Sequence, residues 1–150
     1  MGHSYISCKI HYVFSTKERM KMISPDLQER LWPYMAGIAK KRNITVIAIG
    51  GTEDHVHMLV ALPSTITIAK AIKEIKGISS KWIHESYPDL DHFAWQSGYG
   101  AFSVSVSQVN KTIAYIKNQK KHHRVKTFKE ELVAFLDAHG IEYDDRYIWK

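Results

Sequence analysis

The sequence predicts an α+β fold of the ferredoxin-like kind: an antiparallel sheet in the order β-α-β-β-α-β, with extra helices after the fourth strand. Three observations carry this. A strand-like alternation opens the chain. A β-branched run, a Gly-Gly pair and a second apolar run form a hairpin in the middle. A segment of helical apolar spacing stands on each side of that hairpin.

Each element has a local reason. Tyr5 to Ser15 alternates Ile10, Tyr12 and Phe14 against Lys9, His11 and Ser15, as a half-buried strand does. Ser24-Pro25 is a helix start, and Leu27, Leu31, Met35 and Ile38 then recur on one helical face, with Pro33 expected to kink or split the helix. Ile44 to Ile49 is a strand ending at Gly50-Gly51, and His55 to Leu62 is its hairpin partner, closed by Pro63. Ile68, Ile72, Ile75, Trp82 and Ile83 mark the second helix. Phe102, Val104 and Val106 alternate with serines as the fourth strand. Two helices follow, near Gln108 to His123 and Thr127 to His139, the second stopped by Gly140. The first two helices share one face of such a sheet, so a helix folding back after the fourth strand can cover part of the other.

The 150 residues fit one domain, 1–150. The net charge of +6 suits a polyanion, nucleic acid first, although a basic protein with no such partner reads equally well on charge alone. One cysteine, Cys8, excludes an internal disulfide and a cysteine zinc cluster and fits a reducing cytoplasm. No run reaches the roughly 18 apolar residues of a membrane span, and no membrane partner is expected.

The chemistry concentrates in two places. In Asp54-His55-Val56-His57, strand geometry points His55 and His57 to one face and Val56 and Met58 to the other. Two imidazoles side by side make a half-site for a divalent metal. Two half-buried histidines bonded to backbone or solvent explain a lone H-x-H as well. In the helix after the fourth strand, Val109, Ile113 and Ile116 form the core stripe, and Tyr115 lies off it. Tyr115 and Gln119, at i and i+4, share a face. If this helix crosses the open face of the sheet, the Gln119 carbonyl becomes a third ligand and the Tyr115 phenol comes beside the metal. Lys111, Lys117, Lys120, Lys121, Arg124 and Lys126 cluster around the tyrosine helix as candidate DNA contacts, and Lys70, Lys73, Lys76 and Lys81 line another. Trp95, Tyr99 and Phe102 are candidates for stacking on bases, Phe102 reading better as core.

These motifs, in this order, resemble the HUH single-tyrosine transposases of the smallest bacterial insertion sequences (the IS200/605-like family) and their relatives associated with repetitive extragenic palindromes. The resemblance runs from His11-Tyr12-Val13-Phe14-Ser15-Thr16-Lys17 through Ile49-Gly50-Gly51 and Asp54-His55-Val56-His57-Met58-Leu59-Val60. It continues through Lys76 to Trp82, Trp95 to Ser105 and Tyr115-Ile116-Lys117-Asn118-Gln119, to Gly140 to Tyr147. It implies a DNA transposase. Tyr115 would attack single-stranded DNA at hairpin-marked ends and form a 5′-phosphotyrosine, with Mg²⁺ or Mn²⁺ held by His55, His57 and Gln119. It also implies a homodimer acting in the cytoplasm. The alternative within the family is a REP-associated or domesticated relative working as a site-specific single-strand nuclease or DNA-binding protein. Outside it stands a non-enzymatic module with the same strand order, as in RNA-recognition domains. Those carry aromatics on their third strand, and the third strand here has none.

Overall fold

The computed structural model describes residues 2–119 and 127–148. Its strands are β1 (Lys9–Ser15), β2 (Thr45–Gly51), β3 (His55–Ala61) and β4 (Gly100–Ser103). Its helices are α1 (Pro25–Lys40), α2 (Ile68–Ser86), α3 (Val109–Lys117) and α4 (Phe128–Ala138). The sheet order is β2-β3-β1-β4, and every pairing is antiparallel. This is the expected β-α-β-β-α-β arrangement with helices added after β4.

The two faces of the sheet have different covers. Ile10, Tyr12, Phe14, Val56, Met58 and Val60 pack with Leu27, Leu31, Met35, Ile72 and Ile75 of α1 and α2 in the main core. On the other face, Leu59 packs under Ile116 of α3, and Val13 packs with Phe128, Leu132 and Leu136 of α4. The second cover is why β1 is buried along nearly its whole length rather than half-buried as its alternation suggested.

Capping sets the helix starts. The Ser24 hydroxyl accepts from Leu27 N–H, and that of Thr67 from Lys70 N–H. Thr127 accepts from Glu130 N–H while donating to its carboxylate, a reciprocal cap that starts α4. Gly140, at φ +63°, takes the left-handed turn beyond the end of α4.

Four expectations need correction. Helix α3 ends at Lys117, because Asn118 leaves helical geometry and caps it, so Gln119 lies beyond the end of a helix expected to run from Gln108 to His123. Helix α1 runs unbroken through Pro33. Glu29, whose carbonyl loses its donor, and Pro33 are both exposed, so water can serve the carbonyl while buried Leu31, Met35 and Ile38 hold the helix on the core. Strand β1 starts at Lys9 rather than Tyr5, which is 94% exposed. Strand β4 stops at Ser103, because the chain turns into a short 3₁₀ segment at Val106–Gln108 and leaves Val106 in solvent. Val104 N–H still donates to the Lys9 carbonyl at 3.0 Å, at the first residue of β1, so the alternation runs out of strand partner just beyond Ser103.

Strand β2 contains an irregularity that period-two reading misses. Its register against β3 slips between Val46 and Ala48, leaving Ile47 as the extra residue of a bulge. Val46 and Ile49 face the α1–α2 core, while Ile47 and Ala48 both face α3. The bulge reverses the parity of the rest of the strand. Gly50 therefore lies on the same face as His57, its partner across the ladder.

Candidate metal and tyrosine site

Strand β3 presents His55 and His57 to the face away from α1 and α2, as their spacing predicts, and both are fully buried. Helix α3 crosses that face close to the sheet, because Gly50 gives it room. A Cβ on Gly50 would stand 2.6 Å from the carbonyl oxygen of Ile116. With Ile116 seated in the groove, its neighbours Tyr115 and Gln119 turn toward the histidines. Gln119 is 1% exposed, and its Oε1 lies 3.1 Å from His55 Nε2. The Gln119 Nε2 donates back to the Tyr115 carbonyl at 3.1 Å.

Helix α4 closes the centre from the other side and brings Glu131. This carboxylate is 3% exposed, and its Oε1 lies 2.5 Å from His57 Nε2. It also bonds to the Tyr115 hydroxyl, as does Gln119. Phe128 stacks on His55, with ring centroids 4.2 Å apart, and Phe135 meets Tyr115 edge-on. The nitrogens of His55 and His57 and a carboxylate oxygen of Glu131 all lie within 4.8 Å of one another.

Outer partners orient both histidines. Asp54 Oδ1 lies 2.7 Å from His55 Nδ1, and Thr52 Oγ1 lies 2.9 Å from the same nitrogen. His57 Nδ1 lies 2.8 Å from Nε2 of His11 on β1, which is 2% exposed. Each ring thus uses Nδ1 outward and turns Nε2 to the centre. Burial, and then the neighbouring His57, push His11 down to about 3, so this ring is neutral at physiological pH. Burial, and next the hydrogen bond to Glu131, push the Tyr115 phenol above its usual value, while the Gln119 bond opposes the shift.

The donor set of two imidazole nitrogens, one carboxylate oxygen and one amide oxygen fits a divalent ion of intermediate to hard character. The carboxylate–histidine contact at Asp54 is of the kind that orients metal-binding imidazoles.

Spacing in the sequence singles out Tyr115, His55, His57 and Gln119, and the structure brings all four together within one chain. It does not single out Glu131 or His11. Glu131 carries a readable signal, being a carboxylate inside the apolar stripe Phe128, Leu132, Phe135. His11 lies on the face of β1 that continues the histidine face of β3, which only the strand pairing reveals. Lys111 and Lys117 are exposed on α3, whereas Lys120, Lys121, Arg124 and Lys126 lie outside the described residues. Of the aromatic candidates, Trp95 and Phe102 are buried in the cores and Tyr99 is 39% exposed. Among the described residues, no helix is long and apolar enough to cross a membrane.

Comparison with known proteins gives a consistent result. Residues 4–119 match the family model described as "Transposase IS200 like". The chain is 25% identical over 122 residues to the transposase for insertion sequence element IS200 of Salmonella typhimurium, covering 81% of this chain and 80% of that protein. It is 24% identical to the ISDra2 transposase TnpA of Deinococcus radiodurans, covering 79% and 89%. Among solved structures, a putative transposase from Deinococcus radiodurans superimposes with a TM-score of 0.64 at 24% identity, over 79% of this chain and 96% of that one. A REP-associated tyrosine transposase bound to a REP hairpin superimposes at 0.60 and 18% identity, over 95% and 87%. With more than two thirds of its length matched by one family model, the chain belongs to the IS200-like transposases.

Proposed function

We propose that this transposase cleaves and rejoins single-stranded DNA, at ends marked by hairpins, through a covalent 5′-phosphotyrosine on Tyr115. The observation that supports this most is the convergence of the Tyr115 hydroxyl, Gln119 and Glu131 on the buried His55–His57 pair. The donor set fits Mg²⁺ or Mn²⁺, held by His55, His57 and Gln119 with Glu131 beside them. Such an ion supplies charge to polarise the scissile phosphate and to offset the charge developing on it.

The chain's own residues do the rest. The β3 ladder fixes the two histidines, α3 carries the nucleophile, and the amide ligand Gln119 follows just beyond the Asn118 cap that ends α3. The Tyr115 oxygen forms the bond to phosphorus, and the bond to the 3′ oxygen breaks. The Tyr115 proton passes to the Glu131 carboxylate, its hydrogen-bond partner, and the departing 3′ oxygen takes up a proton from water. Rejoining reverses these steps, and no external energy source is needed because the phosphodiester bond energy is kept in the tyrosine link. Lys111 and Lys117, with Lys120, Lys121, Arg124 and Lys126, supply salt-sensitive attraction to the DNA backbone. A homodimer belongs to the same reading on the strength of the resemblance, as does action in the cytoplasm. A site-specific single-strand nuclease associated with palindromic repeats would use the same chemistry. The hairpin-bound structural relative favours keeping that second reading.

The experiment is cleavage of a labelled hairpin oligonucleotide with single-stranded flanks. Wild type should cut in Mg²⁺ or Mn²⁺ and stop when the ion is chelated. His55→Ala and His57→Ala should lose cleavage while still binding DNA. Gln119→Ala should lose less, since water can replace a neutral amide oxygen. Undiminished cutting by both histidine variants would refute the metal site.

A further inference from the structure

We propose that His11 is a positioning residue that sets the tautomer and ring orientation of His57, and thereby its readiness to bind a divalent ion through Nε2. The inference rests on the proposed metal site and extends it one layer outward, from the β3 histidines to β1.

The geometry is direct. Val13, not His11, is the ladder partner of His57, so His11 reaches it diagonally across the β1–β3 pair. The two nitrogens meet at 2.8 Å with both rings buried, a full hydrogen bond in a setting where water cannot substitute. The rings stand 5.0 Å apart at their centroids, tilted by 37°. Phe135 packs edge-on against His11 at 5.2 Å, and Tyr115 lies 6.4 Å away, so aromatic contacts also hold the β1 ring in place.

A bond between two neutral imidazoles needs one N–H and one lone pair. An ion on His57 Nε2 takes the lone pair there, which forces the hydrogen onto Nδ1. His57 Nδ1–H must then donate, and His11 Nε2 must accept. Without an ion the hydrogen can sit instead on Nε2, the nitrogen 2.5 Å from Glu131 Oε1. His57 Nδ1 then accepts, and His11 Nε2 donates. An imidazole at position 11 serves both arrangements by changing tautomer, and the proton count of the pair stays the same. His55 has an acceptor of fixed type on its Nδ1 side, the Asp54 carboxylate. The two metal-facing histidines are thus oriented by different means, His55 by a carboxylate with a hydroxyl beside it and His57 by a second imidazole able to switch roles.

The test uses the full chain and three variants: His11→Phe, which keeps a ring but removes the partner; His11→Gln, whose amide can donate or accept; and His57→Ala. Mn²⁺ binding is measured by calorimetry without DNA, and thermal unfolding is followed in parallel without metal. His11→Phe should weaken Mn²⁺ binding about 10- to 100-fold, the usual loss when an outer partner of a metal-binding histidine is removed. His11→Gln should recover part of it. Imidazole ¹⁵N spectra with Mg²⁺ should show His57 protonated at Nδ1 in wild type and a tautomer mixture in His11→Phe. Wild-type affinity and a wild-type His57 spectrum in folded His11→Phe would overturn the inference. So would a loss in His11→Phe that His11→Gln does not relieve, since that would mark packing alone. If His57→Ala also keeps full Mn²⁺ affinity, the metal reading itself fails, which is a different result.

Discussion

Gly50 shows how one residue can govern a site it does not line. Its missing side chain lets the Ile116 carbonyl approach the sheet, which seats α3 over His57. Gly50→Ala should lift that helix, lower stability by about 1–3 kcal/mol from overpacking, and reduce DNA cleavage by more than the stability loss explains. Thermal melts and single-turnover cleavage of the same preparation check both. A variant with wild-type cleavage would show that α3 tolerates the displacement. The histidine pair was legible in the sequence because the strand period alone puts both residues on one face, and Tyr115 because it lies off the core stripe of its helix. Gln119 reaches the site from beyond the Asn118 cap rather than from the helical face its spacing suggested. Their meeting was conditional on α3 crossing the open face, and Gly50 with the Ile47 bulge explains why it does. Nothing in local spacing reveals the bulge, because it is defined by the register of β2 against β3. Glu131 and His11 were missed for a related reason. Each belongs to an element whose face toward the site is set by tertiary pairing.

At the scale of elements, a half-buried ammonium on α2 helps to hold the segment that joins α2 to β4. Lys76 Nζ donates to the carbonyls of Gln96 at 2.6 Å and Gly98 at 2.8 Å. The Gln96 side chain in turn accepts from Ser15 N–H, pinning the end of β1. Lys76, read from sequence as one of a row of basic residues, is thus tied into the fold. Lys76→Met should leave two carbonyls short of a donor and cost about 1–3 kcal/mol, seen in denaturant melts. Burial holds the Lys76 ammonium down at about 8. Its folded value therefore lies below its unfolded one, and the unfolded chain binds more protons between about 8 and 10.5. Stability from this group rises with pH across that window. The stability gap between wild type and Lys76→Met should widen as pH climbs from 8 toward 10.5. A gap that narrows would mean that the charged form is favoured by its carbonyl partners.

For the molecule as a whole, the division of labour follows the sheet. One face, with α1 and α2, forms the main core. The other, with α3 and α4, buries the chemistry. The ferredoxin-like order and the coverage of the second face were both readable from element order, because an amphipathic helix after the fourth strand has only that face to cover. The site lies under helices, so a phosphate must enter on a strand flexible enough to reach it. Cleavage should therefore need unpaired DNA at the cut and fail on relaxed perfect duplex. Binding to either form should weaken steeply with salt, since phosphate contacts dominate it. Equal cutting of duplex and single strand in the same assay would contradict this arrangement.

Covalent joining of Tyr115 to DNA is read most directly from the mass of the trapped complex. The protein is incubated with single-stranded substrate and divalent ion, denatured, and digested with trypsin and nuclease. A nucleotide is expected on the peptide of residues 112–117, Thr-Ile-Ala-Tyr-Ile-Lys, attached through a 5′ phosphate at Tyr115. Folded Tyr115→Phe should give no adduct, if Tyr115 is the nucleophile. A nucleotide on any other residue, or an adduct of undiminished yield in Tyr115→Phe, would contradict that role.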